Sequence, residues 1–187
     1  ATDAADVELD GADAVAGAES YARATGTASF VSLHVDSGLA NGIALMLDAH
    51  NTGTPMVVTS ANYDARKITE VKTDLAELVR PVTKWAVELT LPDQIPGAIR
   101  RAFNEANSHP KGPVYVGFTS NALEDTADMN IIPSSKIHDS SRPGLNGINE
   151  AASLLLASRK PLMIVGDRVS DDDAVSQAVE LAELLGL

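Results

Sequence analysis

The chain has 187 residues, of which 44% are hydrophobic and 4% aromatic, and it carries a net charge of −12. This charge argues against a nucleic-acid surface and against docking on anionic membranes, because both need clustered Lys and Arg. Without cysteine, the chain has no disulfide framework, thiolate zinc site or cysteine nucleophile. No apolar run approaches the roughly 20 residues needed to cross a bilayer. We therefore expect a soluble protein, and the absence of cysteine suits a cytoplasmic location.

The first helix and strand are marked by local signals. Asp10 stands where an N-cap is expected, the following residues favour a helix over 12–24, and Gly26 supplies its end. The short β-branched run that follows predicts a buried strand over 29–35.

The same alternation continues along the next 80 or so residues, with continuous apolar runs typical of strands in parallel sheets. In chain order, the sequence predicts helix 38–50, strand 55–60, helix 69–79, strand 82–89, helix 93–108 and strand 113–118.

The pattern fades in the third quarter of the chain. Pro, Ser, Asp and Asn dominate over 119–146, which predicts a linker between a first domain at 1–118 and a second unit at 147–187. One strand and two helices cannot cover a sheet, so we expect this unit to be only the start of an α/β domain. Its predicted elements are helix 147–158, strand 161–165 and helix 171–185.

Alternating helices and apolar strands predict an α/β fold, a parallel sheet with helices on both faces. Such sheets bind ligands beyond the carboxyl ends of their strands. Three strand ends therefore qualify as candidate sites, namely those that follow 30–32, 57–59 and 116–118.

General motifs do not identify the chemistry. No GxGxxG follows a strand, and neither GxxxxGK[ST] nor GxSxG is present. The histidines His34, His50, His109 and His138 lack metal-ligand spacing, so we predict no metal site in this chain. His50 and His109 stand in loop-like contexts and are predicted to lie at the surface or in turns.

Several segments together resemble one family. The segment 18–26 (AESYARATG) is similar to a segment of thiamine diphosphate (ThDP) dependent decarboxylases and synthases. The turn at 32–41, with Leu33, His34, Gly38 and Asn41, resembles that of the benzoylformate decarboxylases more than that of the acetolactate synthases. Further matches follow in the family's order at 52–62 (TGTPMVVTSAN), 80–85 (RPVTKW), 109–118 (HPKGPVYVGF) and 159–169 (RKPLMIVGDRV).

The resemblance implies a three-domain enzyme that acts on a 2-oxo acid with ThDP and Mg²⁺. By alignment, this chain lacks the first strand and helix, covers the rest of the pyrimidine-binding domain and ends within the central domain. It has no counterpart of the GDG…N signature, so the metal and diphosphate site is expected outside this chain. Because such active sites form between subunits, the resemblance also implies a homodimer or homotetramer.

The resemblance also implies roles for particular residues. A glutamate that binds the aminopyrimidine normally lies ten positions before Tyr21, where this chain has Gly11. The nearby carboxylates Asp10 and Glu8 are the candidates to replace it. His34 matches a proton-transfer residue, a role that suits an imidazole at neutral pH; alternatively, it is a histidine packed at a strand end.

Gly11, Gly38, Asn41 and Asn62 are the predicted cofactor-binding residues. Gly38 and Asn41 lie at the start of the helix 38–50, where backbone N–H groups point outward, although both also suit a helix cap. Asn62 stands where the family often has Gln, and it equally suits a turn.

The leading hypothesis is ThDP-dependent decarboxylation of an aryl or branched 2-oxo acid. One alternative is a carboligase or acetolactate synthase-like enzyme. Another is a non-catalytic fragment or degenerate paralogue, because the glutamate position is Gly11.

Overall fold

The computed structural model describes residues 10–67, 72–133 and 142–187, and the chain divides into two compact units, Ala1–Asp139 and Ser140–Leu187. The first unit contains α1 (Gly11–Thr25), β1 (Ser29–Leu33), α2 (Ser37–Thr52), β2 (Met56–Asn62), α3 (Leu75–Val79), β3 (Trp85–Leu89), α4 (Ile95–Asn107), β4 (Pro113–Thr119) and α5 (Ser120–Glu124). The second contains α6 (Leu145–Ala157), α7 (Arg168–Asp171) and α8 (Val175–Leu185).

The four strands form one parallel sheet in the order β1-β2-β4-β3. Val31 pairs with Val58, and Val58 pairs in turn with Tyr115. All strands therefore point the same way, and their carboxyl ends share one edge. The predicted fold class, a parallel sheet with helices, is confirmed.

Helices cover both faces of this sheet. On one face, α1, α2 and α3 enclose a core that includes Val15, Met46, Val58 and Tyr115, all with no exposed surface. On the other face, α4 packs on a smaller core of mostly aliphatic residues. Burial of one such side chain stabilises the fold by about 1.5–3 kcal/mol, so the helices on both faces hold the sheet and the carboxyl ends of its strands in place.

The ends of α1 follow the predicted signals. Asp10 Oδ1 accepts hydrogen bonds from the backbone N–H groups of Ala12 and Asp13, at 2.8 and 3.0 Å. Gly26 ends the helix in the left-handed conformation, with φ of 68°. A side chain would be strained at that φ, which is why the helix stops at a glycine.

Two predicted elements in the first unit begin later than expected. In place of helix 69–79, α3 begins only after Asp74, whose side chain accepts from Glu77 N, while 68–71 lie outside the described residues. In place of strand 82–89, β3 begins at Trp85. Pro81 lies in a 3₁₀ turn that the Thr83 hydroxyl extends by donating to Val79 O.

Smaller differences from the prediction follow β3, at the start of α4 and in the predicted linker 119–146. A 3₁₀ turn, Pro92–Gln94, precedes α4, where a single helix 93–108 was predicted. The predicted linker 119–146 begins with the last residue of β4 and the short helix α5, and α6 starts at Leu145.

The second unit departs most from the prediction. The predicted strand 161–165 is wrong, because a strand needs a paired neighbour and the described part of this unit offers none. The predicted helix 171–185 is divided into α7 and α8 near Asp173, whose φ of 53° is incompatible with a continuing helix. None of its described residues is buried, and Leu156 and Ile164 are 83% and 88% exposed.

Among the described residues, no helix is long and apolar enough to span a membrane.

Candidate active site

A cavity of about 210 Å³ lies at the carboxyl end of β1. The beginnings of α1 and α2 form its other walls. The structure thus brings together five residues singled out from the sequence, Asp10, Gly11, His34, Gly38 and Asn41. The full lining is Asp10, Gly11, Ala14, Ser32, Leu33, His34, Ser37, Gly38 and Asn41.

His34 is exposed and lines this cavity, so it is not packed in the core. Its Nδ1 lies 3.1 Å from the carbonyl oxygen of Val35. Because a carbonyl can only accept, Nδ1 carries the proton in this contact. In the neutral imidazole, Nε2 is then left as the proton acceptor.

The turn between His34 and α2 is strained. Asp36 adopts a φ of 52°, which a residue with a side chain rarely does, and it makes no side-chain hydrogen bond as the cap of α2. Its buried Oδ1 has no hydrogen-bond partner among the described residues. The turn closes through Leu39 N, which donates to His34 O at 3.1 Å. Strain of this kind concentrates at functional sites, where the surrounding fold holds it in place.

Glycines allow the two helices and the turn to approach closely. A β-carbon on Gly11 would lie 1.9 Å from the carbonyl oxygen of Gly38, and one on Gly38 would lie 2.7 Å from His34 Cβ. The position that aligns with the family glutamate therefore has no room for a side chain unless α2 moves.

Asp10 is the one carboxylate among the residues that line the cavity. Its Oδ1 is occupied by the two N–H groups at the start of α1. The sequence pointed to Asp10 as a cap and as a neighbour of Gly11. Glu8, the other candidate, lies outside the described residues.

Asn62 does not line the cavity. It is 3% exposed, and its Nδ2 donates to Thr73 O at 3.0 Å and to Glu88 Oε2 at 2.5 Å. Its Oδ1 accepts from Tyr63 N. Because both atoms of its amide group are used internally, the structure gives Asn62 an organising position between the ends of β2 and β3 and not the predicted place beside the cofactor residues.

Two polar lining residues, Ser32 and Ser37, were not among the predicted site residues. Ser32 is an exposed residue between the buried Val31 and Leu33. Alternation along β1 was therefore a usable signal for Ser32. Ser37 carries no local signal beyond its position at the start of α2.

The lining residues fit one polar ring better than a whole cofactor. A carboxylate, an imidazole and an amide in the lining supply hydrogen-bond acceptors and donors. The cavity volume of about 210 Å³ is smaller than the roughly 300 Å³ that is usual for a complete small-molecule site. No lysine or arginine belongs to the lining, and the described residues contain no cluster of three or more potential metal ligands. The donor set therefore suits the aminopyrimidine of ThDP and leaves its diphosphate without a partner in this cavity.

Residues 9–82 match the family described as thiamine pyrophosphate enzyme, N-terminal TPP binding domain. The chain is 29% identical over 175 residues to benzoylformate decarboxylase of Pseudomonas aeruginosa, covering 90% of this chain and 33% of that protein. It is 28% identical over 176 residues to acetolactate synthase of Mycobacterium bovis, covering 91% of this chain and 28% of that protein.

Two solved structures share the fold over 94% of this chain and 34% of their own. Benzoylformate decarboxylase from Polynucleobacter necessarius superposes with a TM-score of 0.84 at 25% identity. The thiamine diphosphate-dependent 4-hydroxybenzoylformate decarboxylase of Rhodococcus jostii superposes with a TM-score of 0.83 at 29% identity. The chain thus spans about one third of the length of these decarboxylases. Over residues 9–82 it matches the N-terminal TPP-binding domain of the thiamine pyrophosphate enzymes, and its resemblance to the benzoylformate decarboxylases is confirmed.

Proposed function

We propose that the protein catalyses the ThDP-dependent decarboxylation of an aryl or branched 2-oxo acid, as a carbon–carbon lyase. The observation that supports this most is the exposed His34 in one cavity with Asp10, Gly38 and Asn41. Similarity to proteins named as decarboxylases of benzoylformate and 4-hydroxybenzoylformate supports an aromatic substrate.

ThDP, when bound, supplies the electron sink for the charge left as CO₂ departs. The residues of this chain would hold and orient the cofactor. Asp10 and Asn41 would hold the polar edge of the aminopyrimidine, and Gly11 and Gly38 would allow it to approach the backbone closely. His34 Nε2 is available to take up a proton and to return it near the reacting carbon, since Nδ1 is held by Val35 O.

The proposal also covers the Mg²⁺ and diphosphate site, the oligomeric state and the location of the protein. The Mg²⁺ and diphosphate site is assigned to residues outside the chain, because the described residues contain no cluster of three or more potential metal ligands and no cationic side chain lines the cavity. A homodimer or homotetramer is proposed, in which a second subunit completes the site. A cytoplasmic location belongs to the same proposal.

Two alternatives remain, each favoured by an observation. Acetolactate synthases are nearly as similar to the chain as the decarboxylases, which favours a carboligase. Gly11 lacks the carboxylate that the family places there, which favours a non-catalytic fragment or degenerate paralogue.

The test is CO₂ release from a panel of 2-oxo acids with ThDP and Mg²⁺, using the protein at its natural length. We expect turnover of benzoylformate or a branched 2-oxo acid to exceed that of pyruvate. Acetolactate formed from pyruvate would favour the carboligase. No ThDP-dependent product from any substrate would favour the non-catalytic alternative.

A further inference from the structure

A groove of about 800 Å³ runs along α4. Its first wall is α4 and its second wall is the segment 129–132, and both walls belong to the first unit. The volume lies within the roughly 300–1,000 Å³ that is usual for small-molecule sites. The groove shares no lining residue with the cavity at the end of β1.

Most of the lining of this groove is apolar. Met129, Ile131 and Ile132 are 42%, 78% and 52% exposed, so their side chains are not packed into a core. Clustered apolar side chains of this kind mark binding sites, whereas single exposed ones do not. The apolar walls are formed mainly by Ile95, Ile99, Phe103, Met129, Ile131 and Ile132.

Arg100 is the one charged residue in the lining. It is partly buried, and its guanidinium forms no hydrogen bond or ion pair with the described residues. The neighbouring Arg101 is engaged, because its guanidinium carbon lies 4.7 Å from the ring centroid of Trp85 and its Nε donates to Glu105 Oε1 at 3.3 Å. A cation without an acidic partner in this part of the chain, beside apolar walls, favours a ligand that is an anion with an apolar body.

Asn104 adds a second donor to the groove. It lies one helical turn after Arg100 on the same face of α4, and its side-chain amide makes no hydrogen bond with the described residues. Guanidinium and amide N–H groups together suit a carboxylate. From Arg100 to Asn107, the last lining residue of α4, the helix rises about 10 Å at roughly 1.5 Å per residue, which sets the length of the apolar body.

We propose that this groove binds a small monocarboxylate with an extended apolar body. Arg100 and Asn104 hold the carboxylate, and the body lies between α4 and residues 129–132. The groove lies outside the site of the proposed function, and its occupation needs neither ThDP nor a 2-oxo acid.

The test uses octanoate and NMR of the protein at its natural length, with ¹³C in the methyl groups of methionine. Met129 lines the groove and reports binding, and Met129→Leu assigns its signal. Met46 and Met56 have no exposed surface and should not respond. Met163, in the second unit, reports adsorption to other apolar surface. Octan-1-ol supplies the same apolar body without the charge.

We expect octanoate to shift the Met129 signal in a saturable way. Arg100→Gln should raise the Kd for octanoate about tenfold, to that of octan-1-ol, as for loss of a hydrogen bond to a charged group. Arg101→Gln is the matched control, because Arg101 does not line the groove, and it should leave the Kd within about twofold. Unchanged Met46 and Met56 signals show that both variants fold like the wild type.

Equal Kd values for octanoate and octan-1-ol in the wild type, or for octanoate in Arg100→Gln and wild type, would overturn the carboxylate site. No response of Met129 at millimolar octanoate, or an equal response of Met163, would overturn the groove as a binding site. Neither result would affect the proposed function, because the experiment contains no ThDP.

Discussion

The carboxyl group of Glu19 on α1 faces that of Asp48 on α2 across the interface between the two helices. Glu19 is 6% exposed, and its Oε1 lies 3.5 Å from Arg23 Nη1, too far for a good hydrogen bond. Burial, then the hydrogen bond and the negative charge of Asp48, raise the pKa of Glu19 above its ordinary value of 4.5, and Arg23 only partly opposes this. The folded protein therefore binds a proton on Glu19 more tightly than the unfolded chain does.

This pair predicts a pH dependence of stability. Because the folded protein binds the Glu19 proton more tightly than the unfolded chain, protonation of Glu19 adds to the free energy of unfolding. This contribution is present in full below pH 4.5 and is lost as the pH rises through the raised pKa of Glu19. Glu19→Gln removes the ionisable group and keeps a hydrogen-bond donor, so the free energy of unfolding of this variant should not show this loss. Urea unfolding, followed by fluorescence of Trp85, the one tryptophan, measures both proteins across this range.

Asp13→Asn serves as the control for the Glu19 variant, because Asp13 is an exposed carboxylate on the same helix. It should retain the wild-type pH dependence. If the stabilities of Glu19→Gln and wild type change with pH in parallel, burial of Glu19 does not raise its pKa in the folded protein.

The contact between α1 and α2 near the cavity predicts a strong effect at Gly11. Gly11→Ala places a methyl group 1.9 Å from Gly38 O, and backbone cannot give way as a flexible side chain can. We expect a loss of about 2–3 kcal/mol in unfolding free energy, as for overpacking of a core. Gly11→Glu should be at least as damaging, so it cannot serve as a simple restoration of the family glutamate.

Gly17 provides the comparison on the same helix. A β-carbon there would meet nothing within 4 Å. Gly17→Ala should therefore stabilise the protein by about 0.5–1 kcal/mol through helix propensity alone. Urea unfolding of both variants checks the pair, and a wild-type midpoint for Gly11→Ala would refute the close helix contact.

Local signals explain which elements were predictable. The ends of α1 follow from Asp10 and Gly26, whose side-chain chemistry and φ act within one helical turn. The start of α3 did not follow, because Lys72 and Thr73 are held by contacts with Glu88 and Asn62 that are distant in sequence. The strand expected over 161–165 failed for the same reason, since pairing depends on a neighbour and not on the strand's own residues.

The candidate site was predictable mainly through resemblance. The spacing of His34, Gly38 and Asn41 matched a known turn, and the structure places all three in one cavity. The use of Asn62 could not be foreseen, because its partners Thr73 and Glu88 lie 11 and 26 positions away. Glu19, in contrast, lies four residues after the buried Val15, so helical spacing already placed it on the buried face of α1.

The two asparagines should respond in opposite ways to truncation. Asn41 is exposed in the cavity, so Asn41→Ala should weaken thiamine binding and leave stability nearly unchanged. Asn62 is buried among internal partners, so Asn62→Ala should cost about 1–3 kcal/mol and leave the affinity of the folded protein unchanged. Unfolding and ligand-observed NMR measure both variants, and a reversed pattern would return Asn62 to the cofactor site.

His34 should be essential for turnover if it transfers protons. His34→Gln retains polarity and similar size but cannot exchange a proton near neutral pH, so we expect kcat for CO₂ release to fall about 10²–10⁴-fold. Gly38→Ala should also reduce kcat, because its new methyl group would lie 2.7 Å from His34 Cβ and displace the imidazole. His50→Gln, at an exposed position near the end of α2, is the control and should retain wild-type turnover.

A pH profile separates proton transfer by His34 from simple positioning. In wild type, part of the pH dependence of kcat should require the His34 side chain, because Nδ1 is held by Val35 O and Nε2 is left to exchange the proton. That dependence should vanish in His34→Gln, whereas Gly38→Ala should keep it at a lower rate, since the imidazole is displaced but present. If His34→Gln loses activity and keeps the wild-type profile, His34 orients the site and another group moves the proton.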